Sequence, residues 1–281
     1  MKNRIITSEQ TENFCRYLCS EERTENTVTK YLRDIAAFRE WNGEQAVTKD
    51  RVIAYKQHLS DTGYKVRSIN SMLASLNSFF AFCGWDDCKV KALRLQREVY
   101  STENKELSRA EYERLCKTAE KKKNERLCLI LQTICGTGIR VSELAFITVE
   151  AVKCGEAVVS LKGKTRTVLL VKELQKKLMR YIADHGIESG AVFVTKSGKP
   201  IGRTNIWREM KALCNDANVD PDKVFPHNLR HLFARIFYGI DKDIAKLADI
   251  LGHSSIETTR IYIITTENEH RRRMENMHLI M

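Results

Sequence analysis

Along the first 90 positions, apolar side chains recur every three or four residues, the spacing that lines one face of a helix. Phe14, Tyr17 and Leu18 share such a face behind Ser8, which can cap the start of the segment. The pattern returns after Glu25 with Val28, Tyr31, Leu32, Ile35 and Phe38, and after Thr48 with Val52, Ile53, Tyr55 and Leu59. Asp61-Thr62-Gly63 closes that third segment in the way a glycine ends a helix. A fourth is marked over 67–82 by Ile69, Met72, Leu73, Leu76, Phe79 and Phe80. Four short amphipathic helices with Lys and Arg on their outer faces predict one small bundle over residues 1–90.

The periodicity fades over 91–106, a charge-rich stretch expected to be a linker. Ser108-x-x-Glu111 then has the form of a capping box, so a second domain is expected over 107–281. Residues 127–135 are mainly apolar and predict a buried helix that stops at Gly136-Thr137-Gly138. The period then drops to two. Residues 157–161 and 167–171 read as β-branched strands joined by a Lys-Gly-Lys-Thr-Arg turn. Helical spacing resumes near Lys172 and continues to the end, with breaks at 186–190, 198–202, 221–226 and Gly239. The expected fold class is mostly α, with a small β-sheet in the second domain. Within it, 203–215 reads as a basic amphipathic helix and 266–280 as a tail helix carrying Met274, Met277, Leu279 and Ile280.

Charge narrows the range of partners. The chain of 281 residues carries 47 Lys and Arg against 36 Asp and Glu, a formal net charge of +11. Residues 1–100 hold 16 basic and 13 acidic side chains; the rest hold 31 and 23, so both parts are basic. An anionic partner follows, nucleic acid first and acidic membrane second. The nine cysteines form no Cys-x-x-Cys pair that could join a His-x₃₋₅-His at zinc spacing, which argues against a structural zinc and for a reducing, cytoplasmic setting. No basic-then-apolar leader and no apolar run near ~18 residues is present, so neither export nor a membrane span is expected.

Four places in the second domain combine Arg, Lys, His and Tyr. In Thr137-Gly138-Ile139-Arg140-Val141-Ser142-Glu143, a glycine break followed by Arg sets a guanidinium at a helix start, where an anion is favoured and Glu143 can orient it. Taken alone, this is as well read as a surface salt bridge. Lys162 falls between the two strands; a lysine there is ordinarily solvated, but can also act as a proton donor. His227 and Arg230 sit at i and i+3 on one helix face and can grip one phosphate, while His231 is expected to point elsewhere on the same helix and reads as structural. In Gly252-His253-Ser254-Ser255-Ile256-Glu257, the Ser254-x-x-Glu257 box sets His253 at the mouth of a short helix, and Tyr262 follows nine residues later. Two Arg, two His, one Lys and one Tyr with no carboxylate cluster suit metal-free phosphoryl transfer. Fixed cations can stabilise charge on non-bridging oxygens, and a phenol can become the nucleophile.

In this order Arg140, Lys162, His227, Arg230, His253 and Tyr262 resemble the catalytic set of the tyrosine recombinase (phage integrase) family. GTGIRVSEL resembles the box around the family's leading Arg, LKGKTRTVLL the strand-turn-strand that carries its Lys, HNLRHLFA its His-x-x-Arg box and LGHSSIETTRIY its Gly-His and Tyr boxes. The helical front half resembles its core-binding, SAM-like domain. Three positions depart from the pattern. The turn after Lys162 is one residue short, which leaves Lys164 as an alternative donor to the preferred Lys162. Leu169 stands where Pro is usual, and Ile263-Ile264 where Thr-His is frequent.

The resemblance implies a site-specific recombinase of the simple two-domain type, with no cofactor and no metal. Arg140, Arg230 and His253 would hold the scissile phosphate, His227 would take the phenol proton, Tyr262 would form a 3′-phosphotyrosine, and Lys162 would protonate the departing 5′ oxygen. It also implies double-stranded DNA with specific sites as partner, held between the two domains. A homotetramer would form on two such sites, from a monomer or weak oligomer without DNA, and the tail would dock on its own or a neighbouring protomer. Rival readings are a type IB topoisomerase, a DNA-binding relative without catalysis and a helix-turn-helix regulator.

Overall fold

The computed structural model describes residues 4–95, 106–161, 164–263 and 274–277. The chain divides into two compact units, residues 1–97 and 98–281.

The first unit is a bundle of α1 (Ser8–Ser20), α2 (Glu25–Asn42), α3 (Lys49–Asp61) and α4 (Val66–Phe82). Thr7, not Ser8, caps α1: its hydroxyl accepts from the Gln10 N–H while the Gln10 side chain accepts from the Thr7 N–H. Thr48 caps α3 as its position suggests. The apolar faces meet in an aromatic centre, where Phe14, Phe38, Phe79 and Phe80 are fully buried and Phe14 stands edge-on to Phe79 at 5.2 Å. Tyr17 and Ile53, assigned inward by spacing, lie 40% and 47% exposed at the edge of that core. One carboxylate is buried here, Asp34, and it is satisfied by Lys30 at 2.6 Å and by the Ser75 hydroxyl at 2.8 Å. Beyond α4 the chain is strapped to that helix. The Asn77 amide bonds the Val90 backbone through both its oxygen and its nitrogen, and Asn70 does the same for Leu93.

The second unit comprises α5 (Arg109–Lys121), α6 (Glu125–Thr137), a 3₁₀ turn (Val141–Phe146), α7 (Val149–Cys154), β1 (Glu156–Leu161), β2 (Lys164–Leu169), α8 (Lys172–Asp184), α9 (Arg203–Lys211), α10 (Cys214–Ala217), α11 (Pro226–Asp241), α12 (Ile244–Leu251) and α13 (Ile256–Ile263). The Ser108–Glu111 capping box opens α5 as expected. α6 is the central post: Leu127, Ile130, Leu131 and Ile134 are all buried, and Gly138 ends it in the left-handed conformation at φ +66°. The two antiparallel strands pair from Glu156 with Leu169 to Leu161 with Lys164. The ladder therefore runs through Thr165 and Arg166, which the sequence pattern assigns to the turn; only residues 162–163 lie between the strands. Nor does Gly239 break a helix, since α11 continues to Asp241. The basic helix expected over 203–215 ends at Lys211, with Ile206 and Met210 buried and Trp207 47% exposed.

α11 faces two cores. Leu229 and Leu232 join the main one, whereas Ala234 joins Leu247, Leu251 and Tyr262 in a smaller one flanked by Phe233, Phe237 and Tyr238. Gly138 is the point where α6 passes this second core. A Cβ there would stand 2.5 Å from Phe233 Cδ1 and 2.9 Å from Leu251 Cδ2. Gly138→Ala thus combines left-handed strain with overpacking, about 3 kcal/mol together. The expected result is a melting temperature lower by about 6–12 °C; an unchanged melt would contradict this packing. Among the described residues, no helix is long and apolar enough to cross a membrane. The tail expected over 266–280 lies outside the described residues apart from 274–277, where Met274 and Met277 are exposed.

Candidate active site

Four segments bring their side chains to one end of α11. Arg140 sits at the start of the 3₁₀ turn, where its side chain donates to Glu143 Oε1 at 2.8 Å and its backbone N–H donates to Glu143 Oε2 at 2.9 Å. The Arg140 guanidinium also lies 3.4 Å from the Gly252 carbonyl, and 39% of its side chain stays exposed. Glu143 is buried at 2% exposure. Burial alone would raise its pKa, but the Arg140 backbone and side-chain hydrogen bonds and the Arg166 charge outweigh that and hold it below the usual carboxylate range.

Arg230, on α11, is 1% exposed. Its guanidinium donates to the Gly138 carbonyl, to the Leu251 carbonyl at 2.7 Å and to His253 Nε2 at 2.9 Å. Its Nε–H is buried with no acceptor among the described residues. Burial, and then the nearby Arg140, push Arg230 down to about 10, with Tyr262 acting in the opposite sense. His253 follows the left-handed Gly252 that ends α12, and its ring is fixed from both sides: Nε2 accepts from Arg230, and Nδ1 donates to Thr259 Oγ1 at 2.9 Å. At the start of α13 the Ser255 hydroxyl accepts from the Glu257 N–H.

Tyr262 lies on α13, 7% exposed, with Arg230 5.9 Å from its ring centroid. Its hydroxyl is 3.4 Å from His227 Nε2. The structure corrects the reading of His231, which does not point elsewhere: its ring stacks on Tyr262 at 4.2 Å and meets His227 edge-on at 4.8 Å. Arg140, His227, Arg230, His253 and Tyr262 are therefore gathered. Lys162 lies outside the described residues, and Lys164 opens β2 opposite Leu161.

All three histidines have their pKa lowered. Loss of water, followed by the charges of Arg230, Arg140 and Arg203, keeps His227 below its ordinary value. Burial first, and then neighbouring cations, push His253 down to about 4 and His231 down to about 3. An unfolded histidine protonates near 6.5. Below that pH the unfolded chain binds protons that the folded site refuses, so stability is complete above pH 6.5 and is lost as pH falls toward 4. At pH 5 the loss is about 2 kcal/mol for each of His231 and His253. The melting temperature is expected to drop steeply from pH 6.5 to 5, and His231→Phe to flatten the drop; equal slopes for both proteins would contradict these burials.

Two residues that the sequence reading passed over complete the site. Thr259 is fully buried and anchors His253. Arg166, on β2, bonds Glu143 Oε2 at 2.6 Å and the Ile250 carbonyl at 2.8 Å. A signal for Arg166 did exist. It lies in the same strand phase as buried Val168, opposite exposed Leu169, so this arginine occupies an inward position.

The fold and this assembly define a class, and comparison with known proteins agrees. The model of the phage integrase family matches residues 105–269, and that of the phage integrase N-terminal SAM-like domain matches 11–86. The chain is 29% identical to tyrosine recombinase XerA of Pyrococcus furiosus over 289 residues, covering 100% of this chain and 98% of the relative. It is 30% identical to XerA of Thermococcus kodakarensis, covering 97% and 96%. A solved structure of XerH site-specific recombinase bound to palindromic difH substrate superposes with a TM-score of 0.73 at 18% identity, covering 95% of this chain and 84% of that one. A lambda integrase dimer bound to a COC′ core site gives 0.74 at 17%, covering 92% and 95%. The chain belongs to the phage integrase family of tyrosine recombinases.

Proposed function

We propose that this protein is a site-specific DNA recombinase that cuts and rejoins DNA through a phosphotyrosine at Tyr262. The observation that carries this reading is the convergence of the Arg230 guanidinium and the His227 and His253 imidazoles on one phenol, with Arg140 reaching the Gly252 carbonyl beside His253. Relatives are named as tyrosine recombinases, and structural neighbours are described as bound to recombination-site DNA.

As the Tyr262 oxygen attacks the phosphorus, its proton passes to His227. The bond from phosphorus to the 5′ oxygen breaks, leaving a 3′-phosphotyrosine, and Lys162 supplies the proton to that oxygen. Arg140, Arg230 and His253 bear the charge that builds on the non-bridging oxygens. The 5′-hydroxyl of a second strand then attacks the phosphotyrosine, which releases the phenol and conserves the bond energy without ATP. Exchange between two duplexes calls for four protomers on two sites. Arg230 is buried beneath the Tyr262 ring, so its meeting a phosphate requires that ring to move, and DNA engagement and opening go together. The action is placed in the cytoplasm, where nine free cysteines are ordinary.

The test is strand exchange. Plasmids carrying two copies of the native site should yield excised or inverted product, with end labels joined across sites. Relaxation of supercoils with no exchanged ends would instead indicate topoisomerase action.

A further inference from the structure

We infer that Arg166 is a positioning residue of strand cleavage: one half-buried guanidinium aims Arg140 through Glu143 and seats the Gly252–His253 segment through the Ile250 carbonyl. The inference rests on the reading of the site given above.

The contacts form a closed circuit. Glu143 Oε1 receives the Arg140 side chain, while Oε2 receives both the Arg140 backbone N–H and the Arg166 guanidinium at 2.6 Å. With Arg140 alone, this carboxylate could pivot about its end; Arg166 pins the second oxygen. The other prong of Arg166 holds the Ile250 carbonyl at 2.8 Å, two residues before Gly252, whose own carbonyl faces Arg140 at 3.4 Å. The Arg166 chain occupies the space above Gly252 so closely that a Cβ at residue 252 would stand 2.3 Å from Arg166 Cδ. The left-handed glycine at φ +63° is thus shaped to this arginine.

Only 13% of the Arg166 side chain is exposed, against 39% for Arg140, and both of its prongs are already taken. It is therefore placed to act through Arg140 and the His253 segment rather than on the phosphate itself. A planar fork spanning a carboxylate and a carbonyl is a task that lysine performs only in part. β2 begins two residues after Lys162, so the strand that leads from the lysine turn is anchored to the arginine box and to the histidine box by one side chain.

The experiment compares single-turnover cleavage of a nicked suicide duplex carrying either an ordinary phosphate or a neutral methylphosphonate at the scissile position. A misaimed guanidinium matters less where no charge awaits it. Arg166→Met is expected to slow the phosphate reaction by about 30-fold and to raise the methylphosphonate-to-phosphate rate ratio about tenfold, toward the value for Arg140→Ala. Half-saturation by DNA should stay within about threefold of wild type. Arg166→Lys, which keeps a cation on Glu143, should give an intermediate ratio, and it decides the matter if the methionine variant does not fold. A ratio within about twofold of wild type in the folded variant, with both substrates slowed alike, would overturn the positioning role. If the wild type forms no adduct, or Tyr262→Phe forms as much, the reading of the site itself fails, which is a distinguishable outcome.

Discussion

Tyr262→Phe is expected to abolish covalent capture of DNA while leaving the fold intact. The ring does the packing: it sits in the small core with Ala234, Leu247 and Leu251 and stacks on His231, all contacts that phenylalanine retains. The hydroxyl adds a 3.4 Å contact to His227, long for a hydrogen bond, so its removal should cost less than about 1 kcal/mol. Chemically its loss is total, because among the described residues no other side-chain oxygen is bonded to the His227 imidazole. A melting temperature close to wild type with no adduct on a suicide duplex is the expected pair of results. A destabilised variant would mean that the hydroxyl holds structure instead.

Arg230→Met should produce the second large effect, again with activity and stability parting company. The folded site holds this guanidinium against its preference, down to about 10 from 12.5, with no carboxylate bonded to it among the described residues. That shift corresponds to about 3 kcal/mol of cost to the folded state. Its bonds to the Gly138 and Leu251 carbonyls and to His253 return about 1 kcal/mol each. A methionine of similar reach forfeits those bonds and relieves the buried charge, so the two effects nearly cancel. The melting temperature should move by less than about 3 °C. Cleavage should fall about a thousandfold, since a preorganised cation aimed at a developing negative charge is lost. Single-turnover cleavage alongside a thermal melt checks both halves. Such a residue fits a site whose stability is given up for reaction with an anion.

Much of this was legible in the chain because separate signals agreed. Helical spacing around Phe14, Phe38 and Phe79 led directly to the bundle, since four one-sided helices have few ways to bury their faces. The candidate site residues stood out because Arg140 and His253 sit beside glycine breaks, His227 and Arg230 share a helix face, and Tyr262 follows His253 by nine residues. What stayed hidden depends on tertiary contact. Thr165 and Arg166 read as turn because polar residues beside Lys162-Gly163 look like a loop, whereas the ladder runs on to Lys164. Capping by Thr7 rather than Ser8 is decided by the Gln10 side chain reaching back. The stacking of His231 on Tyr262 is not written in its i+4 spacing from His227, which says nothing of a ring arriving from α13. Gly239 lies on the exposed side of α11, where no neighbour forces a break and the helix bears its modest cost.

The central claim is that one phenolic oxygen exchanges with a sugar oxygen on DNA phosphorus. Mass spectrometry of the proteolysed adduct from a nicked suicide duplex of the native site tests it most directly. The predicted result is a single modified peptide, with a nucleotide joined at Tyr262 through its 3′ phosphate. A nucleotide carried on any other residue, or a linkage through the 5′ end, would contradict the account.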